Sequence, residues 1–512
     1  MTKPHPPARA TRREWTGLAV LALPCVLYSM DMTVLNLALP TLSAELRPSA
    51  SELLWIVDIY GFLLAGFLVT MGTLGDRIGR RRLLLSGAVG FGFASVLAAC
   101  ATSTGTLIAS RALLGIAGAT IAPSTLSLIR HIFQDAGQRS VAIGVWVTSY
   151  SVGSVIGPLV GGVMLAHFGW GSVFLLGVPV MLLLLVLGPW LLPEFRNPSA
   201  GRPDLGSAVL SLAAVLAVIH GVKRWAEQGA GWPAFVSLTA GLAFGAAFVR
   251  RQRRAADPLM DFGLFRLPVF SASLAAYGLS CFAVLGVFLF VSQYFQVVLG
   301  CTPLQAGLWT LPWSAGFIVG ALAAPAAARR IEPAWVMCGG LVAAALGFAL
   351  LTLAGTQGGL PIVIGATVVS ALGLSPVFTL ANDLVVGTAP PERAGTASSI
   401  SETGAELGGA LGIALLGCVG AASYRGVMAA APVPAGLSSG AWEAAWVGIG
   451  PALSIAKDLP APQARAVTDT AREAFMHGLQ AVGLISALLM GATALLFAWT
   501  VRRAQVTSGH AG

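Results

Sequence analysis

The chain has 512 residues, of which 56% are hydrophobic and only 10% are charged, and its mean hydropathy is +0.81. A water-soluble domain needs far more surface charge, so this composition excludes a soluble globular protein and indicates that lipid surrounds most of the chain. The formal net charge of +9 invites a nucleic-acid interpretation, which the placement of the basic residues argues against.

Apolar segments long enough to cross a bilayer recur from Trp15 to Val501. Only helices and closed barrels cross lipid, and these segments lack period-two alternation, so we predict an all-α membrane protein. The predicted spans are 15–39, 52–73, 83–101, 106–128, 139–166, 170–192, 206–222, 232–249, 268–299, 302–326, 334–354, 360–382, 394–421 and 473–501.

These fourteen spans fall into a 6 + 2 + 6 pattern. We predict an N-terminal six-helix bundle over 1–195, two additional peripheral helices and a cytoplasmic linker over 196–267, and a C-terminal six-helix bundle over 268–502. The longest outer connection, 422–472, is rich in proline, and we expect one or two short amphipathic helices in it.

The basic residues alternate along this topology. With the N-terminus inside, the predicted inner segments hold 22 of the 30 Lys and Arg residues, the outer segments hold seven, and Arg111 lies within a span. This asymmetry follows the positive-inside rule and places both termini in the cytoplasm. The basic charge is therefore a topology signal, and nucleic-acid binding loses its main support.

Three charged residues lie inside predicted spans of the first half. Asp31, Asp58 and Arg111 stand roughly 13, 9 and 8 Å inward from the ends of their spans at the helical rise per residue. Because charge within lipid is unfavourable, we expect them to face one another or an aqueous cavity, as candidates for proton coupling or substrate binding. The alternative is a static buried ion pair that fixes helix packing.

The turn between the second and third predicted spans reads GTLGDRIGRRR over 72–82. It resembles the G-x-L-a-D-r-x-G-r-k loop of the major facilitator superfamily. Glycines permit a tight turn, and Asp76 can pair with a neighbouring arginine or a helix N-terminus. The alternative is a plain cytoplasmic turn with topogenic arginines. The resemblance implies a conformational latch made by Gly72, Asp76, Arg77, Gly79 and Arg80.

The fifth predicted span is rich in glycine at helical spacing. It resembles the motif that distinguishes drug antiporters from importers in that superfamily, although small residues four apart also serve generic helix packing. Three of its glycines recur at an offset of 255 in the thirteenth span, at 408, 412 and 417, which suggests two related halves. The motif residues are Gly144, Gly153, Gly157, Pro158, Gly161 and Gly162.

The thirteenth predicted span carries two carboxylates, Glu402 and Glu406, one helical turn apart and therefore on one face. Glu406 lies about 18 Å above the inner end of its span, near the midplane, where a carboxyl group can exchange a proton for a cation. Glu402 lies nearer the cytoplasmic mouth and is an equal candidate for a structural role. We expect Asp383 to pair with Arg393 at the interface rather than to couple protons.

Further motifs resemble the fourteen-helix drug:proton antiporter branch of the superfamily, and within it the QacA-type exporters. These are DMTVLNLALP over 31–40, PPERAGTASSISETGAELGG over 390–409 and AREAFMHG over 471–478. In the fourth span Leu114 stands where the family usually has a polar residue, which counts against a proton relay at that position. Aromatic side chains are candidates for cation–π contacts or for lipid-facing packing: Trp55, Trp146, Tyr150, Tyr294, Trp309 and Trp313.

The resemblance implies a proton-coupled multidrug efflux antiporter of the inner membrane that exports lipophilic, mainly cationic compounds by alternating access. No lysine follows a glycine, so a phosphate-binding loop of the Walker type is absent and a proton gradient is the expected energy source. We expect no cofactor, no metal, no enzymatic activity and no nucleic-acid partner, and we expect a monomer in contact with membrane lipid. Alternatives are a dedicated exporter of one natural product or metabolite, and a membrane sensor without flux.

Overall fold

The computed structural model describes residues 10–48, 50–196, 205–228, 231–255, 263–301, 303–356, 358–390, 394–434, 437–446 and 448–509, and every regular element within them is helical. The α-helices are α1 (Arg12–Leu46), α2 (Ala50–Ile78), α3 (Arg80–Ala99), α4 (Thr104–Gly118), α5 (Ile121–Ile132), α6 (Ala136–Phe168), α7 (Ser172–Leu175), α8 (Gly177–Leu191), α9 (Leu205–Gln228), α10 (Trp232–Gln252), α11 (Pro268–Gln293), α12 (Pro303–Trp309), α13 (Leu311–Ala328), α14 (Pro333–Leu350), α15 (Leu360–Thr388), α16 (Ala394–Ala430), α17 (Ser439–Ala445), α18 (Ile449–Lys457) and α19 (Ala461–Gly509).

Twelve helical segments of the described residues are long and apolar enough to cross a membrane. Neither α1 nor α9 is among them, and the apolar part of α9, Gly206–Val222, is shorter than the others. The all-helical membrane fold is therefore confirmed, whereas the count of fourteen spans stays a prediction.

The fourth predicted span is not one straight helix. Helix α4 ends at Gly118 and α5 begins at Ile121. Pro123 lies in the first turn of α5 and has no N–H to donate to the carbonyl of Ala119, so a continuous helix would lose that hydrogen bond.

Helical structure extends into the predicted 422–472 connection from both sides. Helix α16 continues to Ala430 and α19 already begins at Ala461, because a helix can extend past the apolar core into the interface, where a hydropathy reading stops. The short helices expected there are confirmed as α17 and α18. Trp442 of α17 is buried, and the Tyr424 hydroxyl donates to the Ala445 carbonyl at 3.1 Å, which ties α17 to α16.

The helices pack into two groups. In the first group, helix α1 packs on α6 and α8, helix α2 packs on α4, and helix α3 packs on α4 and α8. In the second group, helix α11 packs on α16 and α19, and helix α15 packs on α13 and α14. The groups meet where α16 contacts α2 and α5, and where α6 contacts α13 and α15. Helices α9 and α10 form an antiparallel pair, and α9 contacts both α2 and α16. This hairpin therefore touches both groups.

Candidate functional site

A cavity of about 350 Å³ lies between the two groups of helices. Glu402 and Glu406 of α16 both line it, so the structure brings the two predicted carboxylates into one chamber. Most of its remaining wall is aromatic or aliphatic. A concave, mainly apolar chamber with a few convergent polar groups is the usual form of a small-molecule site.

Tyrosine hydroxyls hold the two carboxylates. The Tyr28 hydroxyl of α1 donates to Glu406 Oε1 at 2.9 Å, and the Tyr277 hydroxyl of α11 donates to Glu402 Oε1 at 3.4 Å. In the part of the chain that the structure describes, no Lys or Arg forms an ion pair with either glutamate. Among the described residues the two glutamates therefore lack the basic partner that usually accompanies a buried charge.

The aromatic wall is continuous on each side of the cavity. From the first group, the ring of Tyr150 lies 4.9 Å from that of Trp146 and 5.5 Å from that of Tyr28. From the second, Phe317 lies 5.2 Å from Trp313 and 5.4 Å from Phe378. Aromatic faces attract cations that approach them, so these walls and the glutamates suit a lipophilic cation.

Arg111 and Asp31 form a separate buried pair. Arg111 Nη1 lies 2.7 Å from Asp31 Oδ2, Arg111 Nε donates to the Ile56 carbonyl at 3.2 Å, and the guanidinium lies 4.7 Å from the ring centroid of Tyr60. The side chain of Arg111 is 1% exposed and that of Asp31 is 11% exposed. Neither lines the cavity. The side chain of Asp58, the third charge predicted here, lies outside the described residues.

Two tyrosines connect the pair to the cavity. The Tyr60 ring, which lies under Arg111, is 6.3 Å from the Tyr28 ring, and Tyr28 donates to Glu406. The ion pair and the cavity carboxylate therefore touch a common aromatic cluster, while the static interpretation of Asp31 and Arg111 stays open.

The turn at 72–82 joins the two groups of helices. Asp76 forms an ion pair with Arg80, and its other oxygen accepts from the Thr396 backbone N–H at 3.2 Å and from the Thr396 hydroxyl at 3.0 Å. Thr396 lies in the first turn of α16, so Asp76 contacts both an arginine and a helix N-terminus.

Glycines make room for this turn. Arg80 donates to the Gly72 carbonyl at 2.5 Å, and a Cβ on Gly395 would lie 1.2 Å from an Arg80 guanidinium nitrogen. Gly79, with φ of +114°, separates α2 from α3 in a backbone conformation that side chains disfavour. The geometry of Gly72, Gly79 and Arg80 thus allows Asp76 to reach α16. Arg77 lies at the end of α2.

A second ion pair lies at the same end of the helices. Arg139 Nε of α6 lies 2.7 Å from Asp383 Oδ1 of α15, and Arg130 Nη2 of α5 donates to the Gly387 carbonyl at 3.3 Å. The expected partner of Asp383 was Arg393, which lies outside the described residues. Asp383 therefore pairs with an arginine of the other group of helices, and the further pairing with Arg393 stays a prediction.

A profile of the Major Facilitator Superfamily matches residues 21–413. The chain belongs to the major facilitator superfamily. It is 45% identical over 495 residues to the multidrug efflux pump LfrA of Mycolicibacterium smegmatis, covering 97% of this chain and 98% of that protein. It is 36% identical over 504 residues to the methyl viologen resistance protein SmvA of Salmonella typhimurium, covering 95% and 98%.

Among solved structures, the crystal structure of the human organic anion transporter MFSD10 matches with a TM-score of 0.64 at 16% identity, covering 96% of this chain and 100% of that chain. At this identity the likeness supports the fold alone. The family profile and the sequence relatives identify this protein as a multi-pass membrane transporter of the superfamily and not an enzyme.

In this superfamily member, the glycine-rich α6 packs closely on α1. A Cβ at Gly153 would lie 2.1 Å from the Val26 carbonyl oxygen, and one at Gly161 would lie 2.8 Å from the Val34 side chain. Gly144 instead faces Ala321 of α13, in the other group, where a Cβ would lie 2.9 Å from the carbonyl oxygen. Gly162 faces open space, Gly157 is buried within α6, and the side chain of Pro158 lies outside the described residues.

Of the six candidate aromatics, Trp146, Tyr150 and Trp313 line the cavity. Trp55 and Trp309 are partly exposed on the outside of the protein, and Tyr294 is fully buried against Phe295. The sequence interpretation missed the partners Tyr28, Tyr277 and Thr396. A signal for the tyrosines existed, because a hydroxyl within an apolar span usually has a hydrogen-bond partner.

Proposed function

We propose that this protein is a proton-coupled multidrug efflux antiporter that exports lipophilic, mainly cationic compounds such as quaternary ammonium compounds, dyes and antibiotics. The observation that carries the proposal is the pair of carboxylates, Glu402 and Glu406, in an aromatic chamber without a basic partner among the described residues. A cation and a proton compete for the same negative charge there. The names of LfrA and SmvA, a multidrug efflux pump and a methyl viologen resistance protein, support the substrate class.

The proposed topology has fourteen spans in a 6 + 2 + 6 arrangement, in the inner membrane, with both termini cytoplasmic. The two groups of helices are the N-terminal bundle of 1–195 and the C-terminal bundle of 268–502, and α9 with α10 form the additional pair. The end that carries Asp76 and Arg139 is then cytoplasmic, and the conformation described here is held closed at that end. The transporter acts as a monomer and uses no cofactor.

Transport proceeds by alternating access in this proposal. When the contacts of Asp76 with Thr396 and of Arg139 with Asp383 break, the chamber opens to the cytoplasm. Glu406 then releases its proton to the cytoplasm, and the ionised carboxylate takes up the cation. After the contacts form again, the chamber faces outward, protons neutralise the carboxylates and the cation leaves. Asp31, Asp58 and Glu402 are the further proposed proton carriers, and Arg111 holds Asp31 in place.

The test is transport by purified protein in proteoliposomes with an imposed pH gradient, with methyl viologen and a fluorescent dye as probes. Glu406→Gln and Asp31→Asn are expected to lose pH-driven export by at least tenfold, because neither side chain can then exchange a proton. Glu443→Gln and Asp469→Asn, which change exposed carboxylates outside the chamber, are the matched controls and should transport normally.

Full pH-driven export by both Glu406→Gln and Asp31→Asn would remove the assigned carriers. The unaltered protein also distinguishes the two substrate hypotheses. Export of several unrelated cations supports the multidrug assignment, and export of a single compound from a broad panel supports a dedicated exporter instead.

A further inference from the structure

Helix α10 ends in a dense group of arginines beside the first turn of α9. The side chains at 250, 251, 253 and 254 are all exposed. Between them, the buried Gln252 donates to the Ser207 hydroxyl of α9 at 2.6 Å. A Cβ on Gly206 would lie 2.9 Å from the guanidinium carbon of Arg251, so that group rests on the first turn of α9. The α9–α10 contact therefore fixes Arg251 and the end of the helix that carries the other arginines.

Two shallow clefts flank this end of α10, with Arg250 and Arg254 at the edge of both. One has a volume of about 420 Å³ and an apolar floor of Ala246 and Val249; the other has a volume of about 580 Å³ and a floor that includes Leu210. Each cleft thus joins a cationic rim to an apolar surface. A ligand that fits both parts has an anionic head and a hydrocarbon body.

The rest of α10 indicates which amphiphile this is. The segment Trp232–Gln252 is 17% buried within the protein, the lowest value among the described candidate spans. Its large apolar side chains are exposed along its length, with Trp232 76% exposed and Leu242 70% exposed. The clefts therefore continue into a surface that acyl chains cover. A soluble anion would use the arginines and leave the apolar floors in contact with water, which is unfavourable.

We propose that the end of α10 is a binding site for an anionic phospholipid, whose phosphate lies between Arg250 and Arg254 and whose acyl chains run along α10. Guanidinium groups bind phosphate oxygens in a bidentate manner. Arg250 lies in the last turn of α10 and Arg254 lies two residues past its end, and both line the same two clefts. Since α9 packs against both α2 and α16, the bound lipid also fixes the hairpin that touches both groups of helices.

The experiment measures binding of fluorescent phosphatidylglycerol to the purified full-length protein in detergent, with phosphatidylcholine as the neutral comparison. The double variant Arg250→Gln/Arg254→Gln is expected to bind phosphatidylglycerol about 30-fold more weakly, because each arginine beside an anionic lipid contributes about fivefold. Arg250→Lys/Arg254→Lys keeps the charge and is expected to lose far less. Arg329→Gln/Arg330→Gln removes two exposed arginines at the end of α13 and is the matched control.

A further variant separates the site from the role of arginines in membrane insertion. Ala247 lines the larger cleft beside Leu210. Ala247→Trp fills the floor of that cleft and keeps every charge, and it is expected to weaken phosphatidylglycerol binding several-fold. Equal losses in the 250/254 and 329/330 variants, or unchanged binding in both the 250/254 variant and Ala247→Trp, would overturn the proposal. Competition by glycerol phosphate as effective as that by phosphatidylglycerol would also overturn it, since the site would then bind a soluble anion.

Discussion

Helices α6 and α16 use the same device to pack against their neighbours. In α6, Gly153 packs against the Val26 carbonyl of α1. In α16, Gly408 and Gly412 pack against α11, where added Cβ atoms would lie 2.3 Å from the Gly278 carbonyl oxygen and 2.0 Å from that of Phe282. Gly153 and Gly408 are 255 positions apart in the chain. Both helix contacts therefore depend on glycine for close packing, in line with the glycine spacing that recurs at an offset of 255.

The buried acidic residues near these helix contacts have different partners in the two halves. In the first half, Asp31 of α1 is balanced by Arg111 at 2.7 Å. In the second half, Glu402 and Glu406 have tyrosine hydroxyls as partners and face the cavity. The two halves therefore differ in how their buried acidic groups are partnered: Asp31 has a cation beside it, whereas Glu402 and Glu406 face the cavity with no basic partner among the described residues.

The largest expected effect comes from breaking the balanced pair. Arg111→Met leaves the Asp31 carboxylate in a buried site without its cation, which should lower stability by about 3–5 kcal/mol. The measurement is the melting temperature of the purified protein in detergent. The double variant Asp31→Asn/Arg111→Met should regain much of that loss.

The corresponding change in the second half should behave in the opposite way. Glu402→Gln removes a charge that has no basic partner among the described residues, so its melting temperature is expected to equal or exceed that of the unaltered protein. A large loss of stability in Glu402→Gln, or none in Arg111→Met, would contradict the contrast drawn between the two halves.

An intermediate effect is expected where glycines allow α6 to pack on α1 and α16 to pack on α11. Gly153→Ala and Gly412→Ala each place a methyl group within 2.1 Å of a backbone carbonyl oxygen, and overpacking of this kind destabilises by about 1–3 kcal/mol. Gly162→Ala and Gly417→Ala are matched controls, because a Cβ at 162 meets nothing within 4 Å and one at 417 is 4.0 Å from Leu289. If all four variants melt alike, glycine does not determine the helix spacing.

The smallest expected effect concerns the contact between the two groups of helices. Thr396→Val removes the hydroxyl donor to Asp76 and keeps the backbone donor, so it should weaken the closed latch by about 1 kcal/mol, roughly a fivefold change in population. The cavity thiol Cys281 reports this change when the other cysteines are replaced by serine and labelling is compared from each side of the membrane.

Thr500→Val is the control for that experiment, since the Thr500 hydroxyl donates to the Leu496 carbonyl within α19. Labelling of Cys281 from the Asp76 end should rise in Thr396→Val and stay constant in Thr500→Val. Identical labelling in both would show that the hydroxyl bond does not hold that end closed.

Much of the fold was accessible from the sequence because the bilayer imposes simple rules. Most predicted spans agree with the observed helices within a few residues, for example 360–382 against α15 and 232–249 against α10. The differences lie where hydropathy carries no signal. They are the breaks between α4 and α5, α7 and α8, and α12 and α13, and the helix ends that continue beyond the apolar core at 422–472.

Residue type and depth alone identified Asp31, Arg111, Glu402 and Glu406 as exceptional, since ionisable groups within lipid are rare and need a partner or water. Only the tertiary structure decided which partner each one has, because contacts such as Tyr28 with Glu406 and Asp76 with Thr396 join residues more than 300 positions apart. Local sequence determines helices and their depth through interactions within a few turns and with lipid. Which faces meet depends on how all the helices pack at once, and that packing assigned one pair of charges to each other and left two carboxylates facing a cavity.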